Sequence, residues 1–206
     1  LFEFIERYLE LYSPGKTEKT RKLDGYILEH IKTYFGNRTL RSINAEDVEA
    51  YKASRLSVVK GRTVNRELDL LKSLMNRAVE WGYLARSPAG RVRRYKVDIE
   101  EPNFLSVEEG SRLISAAKGQ MKTFVSLAFH TGLRKGELFA LKWTDVNVSK
   151  REVRVRRAKG RRFRVIPLNG LALGALKTHP RHITSNLVFY GSAGNPWVDV
   201  RVSFNN

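Results

Sequence analysis

The residues best suited to phosphate chemistry lie in HTGLRKGELFALKWTDV, residues 130–146, where Arg134 and Glu137 follow a glycine at the start of a predicted helix. A guanidinium group presents a fork of N–H donors that matches two phosphate oxygens, and a helix N-terminus adds backbone donors. Glu137 can hold the arginine through a charge-assisted hydrogen bond. The alternative is an exposed ion pair worth only about 0.3 kcal/mol. Position alone does not decide between these two interpretations.

A second candidate is EVRVRRAKGRRFRVIPL, residues 152–168, whose alternating pattern predicts two strands joined by a tight turn at Lys159 and Gly160. Val153 and Val155 are expected on one face of this hairpin, with arginines on the other. A lysine at such a turn can donate a proton to a leaving group. The alternative for Lys159 is an ordinary solvated turn residue.

The same hairpin concentrates positive charge. Residues 150–164 hold nine Lys or Arg and one Glu, which is nearly half of the chain's net charge of +17. Neighbouring arginines repel one another, and a polyanionic partner relieves that repulsion. The alternative is a charged sheet edge that only prevents aggregation.

Composition narrows the classes of function. With 206 residues, 42% hydrophobic and 29% charged, the chain can form one large or two small domains with a true core. Its 38 Lys and Arg against 21 Asp and Glu favour nucleic acid as partner. Zero Cys excludes disulfides and cysteine-based zinc sites, and the four His lack metal-binding spacing, so we expect no metal and no cofactor. No apolar run approaches 18 residues and no signal sequence opens the chain, so we expect a cytoplasmic protein without a membrane span.

The helices that position these residues follow from apolar periodicity and capping residues. The N-terminal part predicts a bundle of four helices, at 1–12, at 17–35 between Thr17 and Gly36, from Asn44, and at 63–81. A Ser106–Glu109 capping box then predicts a helix at 107–117. Three more helices are expected, at 121–130, from the Arg134 stretch to near Trp143, and at 171–178.

Three stretches together resemble the tyrosine recombinases, the phage-type integrases. The Arg134 stretch resembles the family's first catalytic box, and RRAKGRRFRVIPL resembles its β-hairpin, with Lys159 eight residues before Pro167. TVNRELDLLKSLMNRAVEWGYLARSP resembles the last helix of its N-terminal core-binding domain. The three occur in the family's order and at compatible spacing, and the resemblance covers about residues 1 to 205.

The resemblance implies a mainly α fold with a small antiparallel β-sheet. We expect an N-terminal four-helix core-binding domain at 1–90, a basic linker at 91–102, and a truncated α+β catalytic domain at 103–206. The linker assignment also rests on the Pro, Gly and basic residues of SPAGRVRRYKVDIEEP, residues 87–102.

The resemblance also implies roles for residues. Arg134 corresponds to the first catalytic arginine, Glu137 to its supporting acid, and Lys159 to the general acid toward the leaving 5′ oxygen. The family cleaves DNA with a tyrosine, forming a 3′-phosphotyrosine link, and acts as a tetramer on double-stranded DNA without a metal. We expect ten further basic residues to contact DNA: Arg66, Arg91, Arg93, Arg94, Lys96, Arg154, Arg156, Arg161, Arg162 and Arg164.

The family's later elements are not found in the sequence. HPRH, residues 179–182, is not the family's His-x-x-Arg box, and Tyr190 precedes the place of that box, so we expect it to pack beside Phe189. We therefore expect the nucleophile to be absent from this chain, which would bind DNA without cutting it. The first alternative to a recombinase is a non-catalytic DNA-binding or regulatory protein on a recombinase scaffold. The second alternative is an RNA-binding protein.

Overall fold

Eight α-helices and one three-stranded antiparallel sheet form the described part of the chain, residues 1–98, 101–155, 163–197 and 199–200 of a computed structural model. The chain divides into two units, which we call unit 1 (Leu1–Glu101) and unit 2 (Pro102–Asn206). The prediction of a mainly helical fold with a small antiparallel sheet is confirmed.

Unit 1 contains four α-helices: α1 (Phe2–Leu11), α2 (Glu18–Phe35), α3 (Ala45–Leu56) and α4 (Gly61–Glu80). The hydroxyl of Thr17 accepts a hydrogen bond from the N–H of Thr20 at 3.3 Å and caps α2. Gly36 ends α2 at a φ of 60°, which glycine adopts without strain. At the start of α3, the side chains of Asn44 and Asp47 bond each other's backbone N–H groups at 3.0 and 2.9 Å. These local signals place both helices where the sequence predicts them.

The core of unit 1 lies along the inner faces of its helices. The apolar stripe of α4 is buried from Val64 to Ala78, and Trp81 packs against its edge. On α2, Leu28 and Phe35 are buried together with Ile27 and Ile31, whereas Tyr34 is 42% exposed. The buried face of α2 is therefore wider than a single i,i+4 stripe.

A buried carboxylate joins α3 to α4. The Glu67 side chain is 2% exposed, and it accepts hydrogen bonds from Arg55 Nε, Arg55 Nη2 and the Tyr51 hydroxyl, each at 2.8 Å. Burial by itself raises the pKa of Glu67, but the hydrogen bonds from Arg55 and Tyr51 outweigh it and hold this pKa below its usual value. Burial and the bond to Glu67 also raise the pKa of Tyr51.

The basic segment, which we define as residues 91–98, is attached to α3 and α4. Asn65 donates from Nδ2 to the Tyr95 carbonyl at 2.9 Å and accepts from the Tyr95 N–H at 2.8 Å. Lys52 donates to the Arg93 carbonyl at 2.9 Å, and Val92 is buried. This part of the predicted linker therefore packs on unit 1.

Unit 2 contains α5 (Val107–Ala116), α6 (Gly119–Thr131), α7 (Lys135–Phe139) and α8 (Gly170–Lys177). The predicted Ser106–Glu109 capping box is present, with bonds of 3.2 and 2.8 Å. The prediction that the Arg134 helix reaches Trp143 is wrong, because α7 ends at Phe139. The chain turns there so that the Leu141 carbonyl and the Trp143 N–H can bond the backbone of Val188 and Asn186.

The sheet of unit 2 consists of β1 (Val146–Asn147), β2 (Glu152–Val155) and β3 (Arg164–Pro167), in the order β1-β2-β3. Val153 and Val155 are buried and Arg154 is exposed, as the alternating pattern predicts. Val155 pairs with Arg164 across the hairpin. The predicted turn at Lys159 and Gly160 lies outside the described residues.

Aromatic side chains fill much of the core of unit 2. Phe189 is fully buried and contacts Phe124 and Trp197, at ring-centroid distances of 5.3 and 5.6 Å. Tyr190 instead packs on His182 at 4.9 Å. The expectation that Tyr190 packs beside Phe189 is therefore wrong. The two side chains lie on opposite sides of the chain, as successive residues of an extended segment do.

Candidate active site

The turn between α6 and α7 fixes the place of Arg134. Gly132 ends α6 in the left-handed conformation, at a φ of 64°, and its N–H bonds the Ala128 carbonyl at 3.1 Å. Leu133 is then buried, which anchors the turn in the core. Arg134 follows as the residue that precedes the first turn of α7. Its backbone is thus held from both sides while its side chain is 60% exposed.

Glu137 binds both the backbone and the side chain of Arg134. Its Oε2 accepts from the Arg134 N–H at 2.9 Å, and its Oε1 accepts from Arg134 Nη1 at 3.2 Å. The Glu137 side chain is only 7% exposed. The arrangement is a buried carboxylate that orients a largely exposed guanidinium, which is the geometry needed for a positioned phosphate ligand.

A second arginine shares this carboxylate. Arg164 Nη2, from β3, donates to Glu137 Oε2 at 2.6 Å, and the Arg164 side chain is 34% exposed. We call Arg134, Glu137 and Arg164 the arginine cluster. It contains two cations and one anion, so it keeps a net positive charge that favours an added anion.

The contact of Arg164 with Glu137 is the feature that sequence reasoning missed. The sequence predicts that Arg164 contacts DNA, like the neighbouring arginines, but its guanidinium bonds the buried carboxylate of Glu137. Ile166, two residues later, lies on the same face of β3, whereas Val165 points outward and is 57% exposed. The alternation of β3 was the available signal, because residues two apart share a face.

Of the remaining hairpin residues predicted to act on DNA, only Arg154 lies within the described residues. Arg154 lies on the outer face of β2, is 54% exposed, and bonds Glu152 at 3.2 Å. The others lie outside the described residues, and these are Lys159, Arg156, Arg161 and Arg162.

The predicted DNA contacts of unit 1 are exposed cations. Arg66 stands on α4, and four more lie in the basic segment, namely Arg91, Arg93, Arg94 and Lys96. Arg94 bonds Asp69 at 2.8 Å yet stays 64% exposed. Arg91 also borders a groove of about 870 Å³, together with Arg41 and Arg86, two cations that the sequence did not single out.

Tyr190 is held by several hydrogen bonds. Its backbone N–H and carbonyl bond the side chain of Gln120 at 3.1 and 3.0 Å, and its hydroxyl donates to the Pro180 carbonyl at 3.3 Å. This hydroxyl is therefore engaged with the backbone of unit 2.

The described ranges contain neither a metal-binding cluster nor a membrane-spanning helix. No group of three or more His, Cys, Asp or Glu residues there could hold a metal ion. Nor does that part of the chain include a helix with the length and apolar character to cross a membrane.

Comparison with known proteins identifies relatives along the whole chain. The Phage integrase family model matches residues 103–203, and the model of the phage integrase N-terminal SAM-like domain matches residues 1–53. A tyrosine recombinase of Thermosipho africanus is 30% identical over 191 residues, which cover 85% of this chain and 67% of that protein. A shufflon-specific DNA recombinase of Escherichia coli is 29% identical over 208 residues, 94% of this chain and 54% of that protein.

Solved structures share the fold. A lambda integrase dimer bound to a COC′ core site superposes with a TM-score of 0.81 at 18% identity, covering 96% of this chain and 76% of that one. The Tn1549 transposon integrase in complex with a circular intermediate DNA gives a TM-score of 0.73 at 18% identity, covering 96% and 73%.

These matches differ from this chain in length. A putative integrase/recombinase of Haemophilus influenzae is 28% identical over 187 residues, which are 85% of this chain but 60% of that protein. The chain therefore spans little more than half the length of several curated relatives. Within that span, the two family models and the Thermosipho relative agree, and the chain belongs to the phage integrase family, the tyrosine recombinases.

Proposed function

We propose that this chain is part of a site-specific DNA recombinase that cleaves and rejoins DNA strands through a 3′-phosphotyrosine intermediate. The observation that carries the proposal is the arginine cluster, in which buried Glu137 holds a 60% exposed Arg134 at the start of α7. Membership of the phage integrase family supports the same reaction.

In the proposed reaction, the Arg134 fork binds two non-bridging oxygens of the scissile phosphate. These contacts stabilise the charge that develops as the tyrosine oxygen forms its bond to phosphorus. The bond from phosphorus to the 5′ oxygen breaks, and Lys159 donates the proton that this oxygen takes up. Because the phosphotyrosine bond replaces a phosphodiester bond, rejoining is the reverse reaction and needs no ATP.

We further propose that the nucleophilic tyrosine is not one of the eight in this chain. Seven of them precede residue 99, and Tyr190 is the eighth. Its hydroxyl bonds the Pro180 carbonyl, and its ring packs on His182. None of these contacts involves the arginine cluster. This tyrosine is thus better explained by a structural role.

The proposed partner is double-stranded DNA, bound mainly through phosphates. The cations of the hairpin and the exposed cations of unit 1 supply the contacts, and a homotetramer on DNA in the bacterial cytoplasm is the proposed working form. One of the similar structures is a lambda integrase tetramer bound to a Holliday junction. The alternative function is DNA binding or regulation without cleavage, which the net charge of +17 supports equally well.

The decisive experiment uses nicked duplex DNA on which strand cleavage traps a covalent adduct. The complete protein encoded by the gene should form the adduct, and the 206-residue chain should bind the duplex without forming it. An adduct with the 206-residue chain would refute the proposal that the nucleophile lies elsewhere. Binding without an adduct in the complete protein would favour the non-catalytic alternative.

A further inference from the structure

Glu137 receives hydrogen bonds from two different elements of unit 2. Arg134 approaches from the start of α7, and Arg164 approaches from β3. The side-chain bond from Arg164 is the shorter one, at 2.6 Å against 3.2 Å. The orientation of the carboxylate therefore depends on β3 at least as much as on its own helix.

The charges of the arginine cluster make Arg164 more than a structural contact. If Glu137 were paired with Arg134 alone, its negative charge would cancel the positive charge of Arg134, and the pair would attract a phosphate only weakly. With Arg164 added, two cations share one carboxylate and the cluster keeps a positive charge. Arg134 can then be oriented by Glu137 and still attract an anion.

The position of Arg164 also connects the cluster to the hairpin. Arg164 follows Lys159 by five residues and pairs with Val155 of β2. Its bond to Glu137 thus fixes β3 against α7. β3 is the strand that follows the predicted general acid Lys159, and α7 is the helix that begins after Arg134. By contrast, Arg154 lies on the outer face of β2 and bonds only its near neighbour Glu152 among the described residues.

We propose that Arg164 is a positioning residue for DNA cleavage, which acts through Glu137 to orient Arg134 and to hold β3 in place. This inference rests on the proposed function. It differs from the sequence-based expectation that Arg164 contacts DNA phosphates directly, because a phosphate contact would contribute to affinity and a positioning residue to the rate of the chemical step.

The test compares Arg164→Gln and Arg164→Lys in the complete protein, with Arg112→Gln as the matched control. Arg112 is an exposed arginine on α5, so its replacement removes the same charge in the same unit. The dissociation constant for duplex DNA and the single-turnover cleavage rate constant at saturating protein are measured separately. We expect Arg164→Gln to lower the rate constant about 100-fold, since small displacements of catalytic groups have effects of this size.

The dissociation constant of Arg164→Gln should stay within about twofold of that of Arg112→Gln, because both lose one exposed or partly exposed charge. Arg164→Lys should recover part of the rate, since its ammonium group can reach Glu137 but lacks the planar fork. The proposal is wrong if Arg164→Gln weakens binding while the rate constant at saturation stays near that of the control.

A second measurement needs no cleavage and uses the 206-residue chain. The Arg134 N–H bonds Glu137 Oε2 at 2.9 Å, so its amide hydrogen exchange reports whether the carboxylate stays in place. We expect Arg164→Gln to speed this exchange about tenfold relative to Arg112→Gln, as the loss of one charge-assisted hydrogen bond predicts. Unchanged exchange would overturn the positioning role. Absence of an adduct with the wild-type complete protein would overturn the proposed function instead.

Discussion

Replacing Arg55 by Met should destabilise unit 1 strongly, because it leaves the carboxylate of Glu67 buried without its cation. Glu67 is 2% exposed and would lose two hydrogen bonds of 2.8 Å, keeping the one from Tyr51 and the contact of its Oε1 with His30 Nδ1 at 3.4 Å. Breaking a buried ion pair on one side typically costs 3–5 kcal/mol. Arg55 is itself 17% exposed and the Tyr51 bond remains, so we expect a loss of about 3 kcal/mol in the free energy of unfolding.

Hydrogen exchange of α3 and α4 peptides at increasing urea concentration measures this loss in unit 1 alone. The matched control is Arg38→Met, which breaks the more exposed pair with Asp47, whose side chains are 43% and 24% exposed. That pair should contribute far less to stability, because water and salt screen an exposed ion pair. Adding Glu67→Gln to Arg55→Met should restore part of the stability, since it removes the buried charge and keeps an acceptor for Tyr51.

The pH dependence provides a further check. In the wild type the pKa of Glu67 is lowered, so its contribution is present above the unfolded pKa of about 4.3 and is lost as pH falls through the folded pKa. Without Arg55, only Tyr51 and His30 oppose the effect of burial on this pKa, so we expect protonation of Glu67 to reduce the instability of the variant as pH falls. The stability gap should therefore narrow between about pH 7 and pH 4. The reasoning fails if Arg55→Met costs no more than Arg38→Met, or if the double variant loses the sum of the two single losses.

Four other predictions concern DNA and unit 2. The affinity for duplex DNA, measured by fluorescence anisotropy, should fall roughly 1000-fold between about 50 and 200 mM salt, and a flat response would contradict a phosphate-dominated surface. In the complete protein, Arg134→Ala should abolish strand cleavage and keep most of the DNA affinity; cleavage that persists in the bound complex would exclude a catalytic role. Lys159→Ala should be rescued by a 5′-phosphorothiolate substrate, whose thiolate leaves without a proton, and failure of that rescue would count against a general acid. Burial lowers the pKa of His179, so the unfolded state takes up its proton first and unit 2 should lose stability as pH falls below about 6.5. His179→Gln should flatten this profile in thermal unfolding, and an unchanged slope would assign it to other groups.

Local signals in the sequence were sufficient for the starts of α2, α3 and α5. The caps at Thr17, Asn44 and Ser106 each involve partners three residues away, so the pattern that forms them is visible in the chain itself. The alternation of β2 likewise placed Val153 and Val155 inside, because side-chain direction in a strand depends only on position.

Contacts between distant residues were beyond such reasoning. The apolar run after Glu137 predicted a helix up to Trp143, but the backbone of that region bonds Asn186 and Val188, more than 40 residues later. Arg164 was grouped by charge with its neighbours, since the acid that it bonds lies 27 residues earlier. Both features arise from tertiary partners that periodicity and composition do not reveal.

The basic segment is held to unit 1 through its main chain, and its cationic side chains remain exposed. Asn65 binds the main chain of residue 95 and Lys52 binds the carbonyl of residue 93, so both anchors would survive a change of side chain at those two positions. The exposed side chains of Arg91, Arg93 and Lys96 can therefore vary during evolution without detaching the segment. If these side chains contact phosphates as proposed, substitutions here would change the affinity for DNA while Asn65 and Lys52 keep the segment in place.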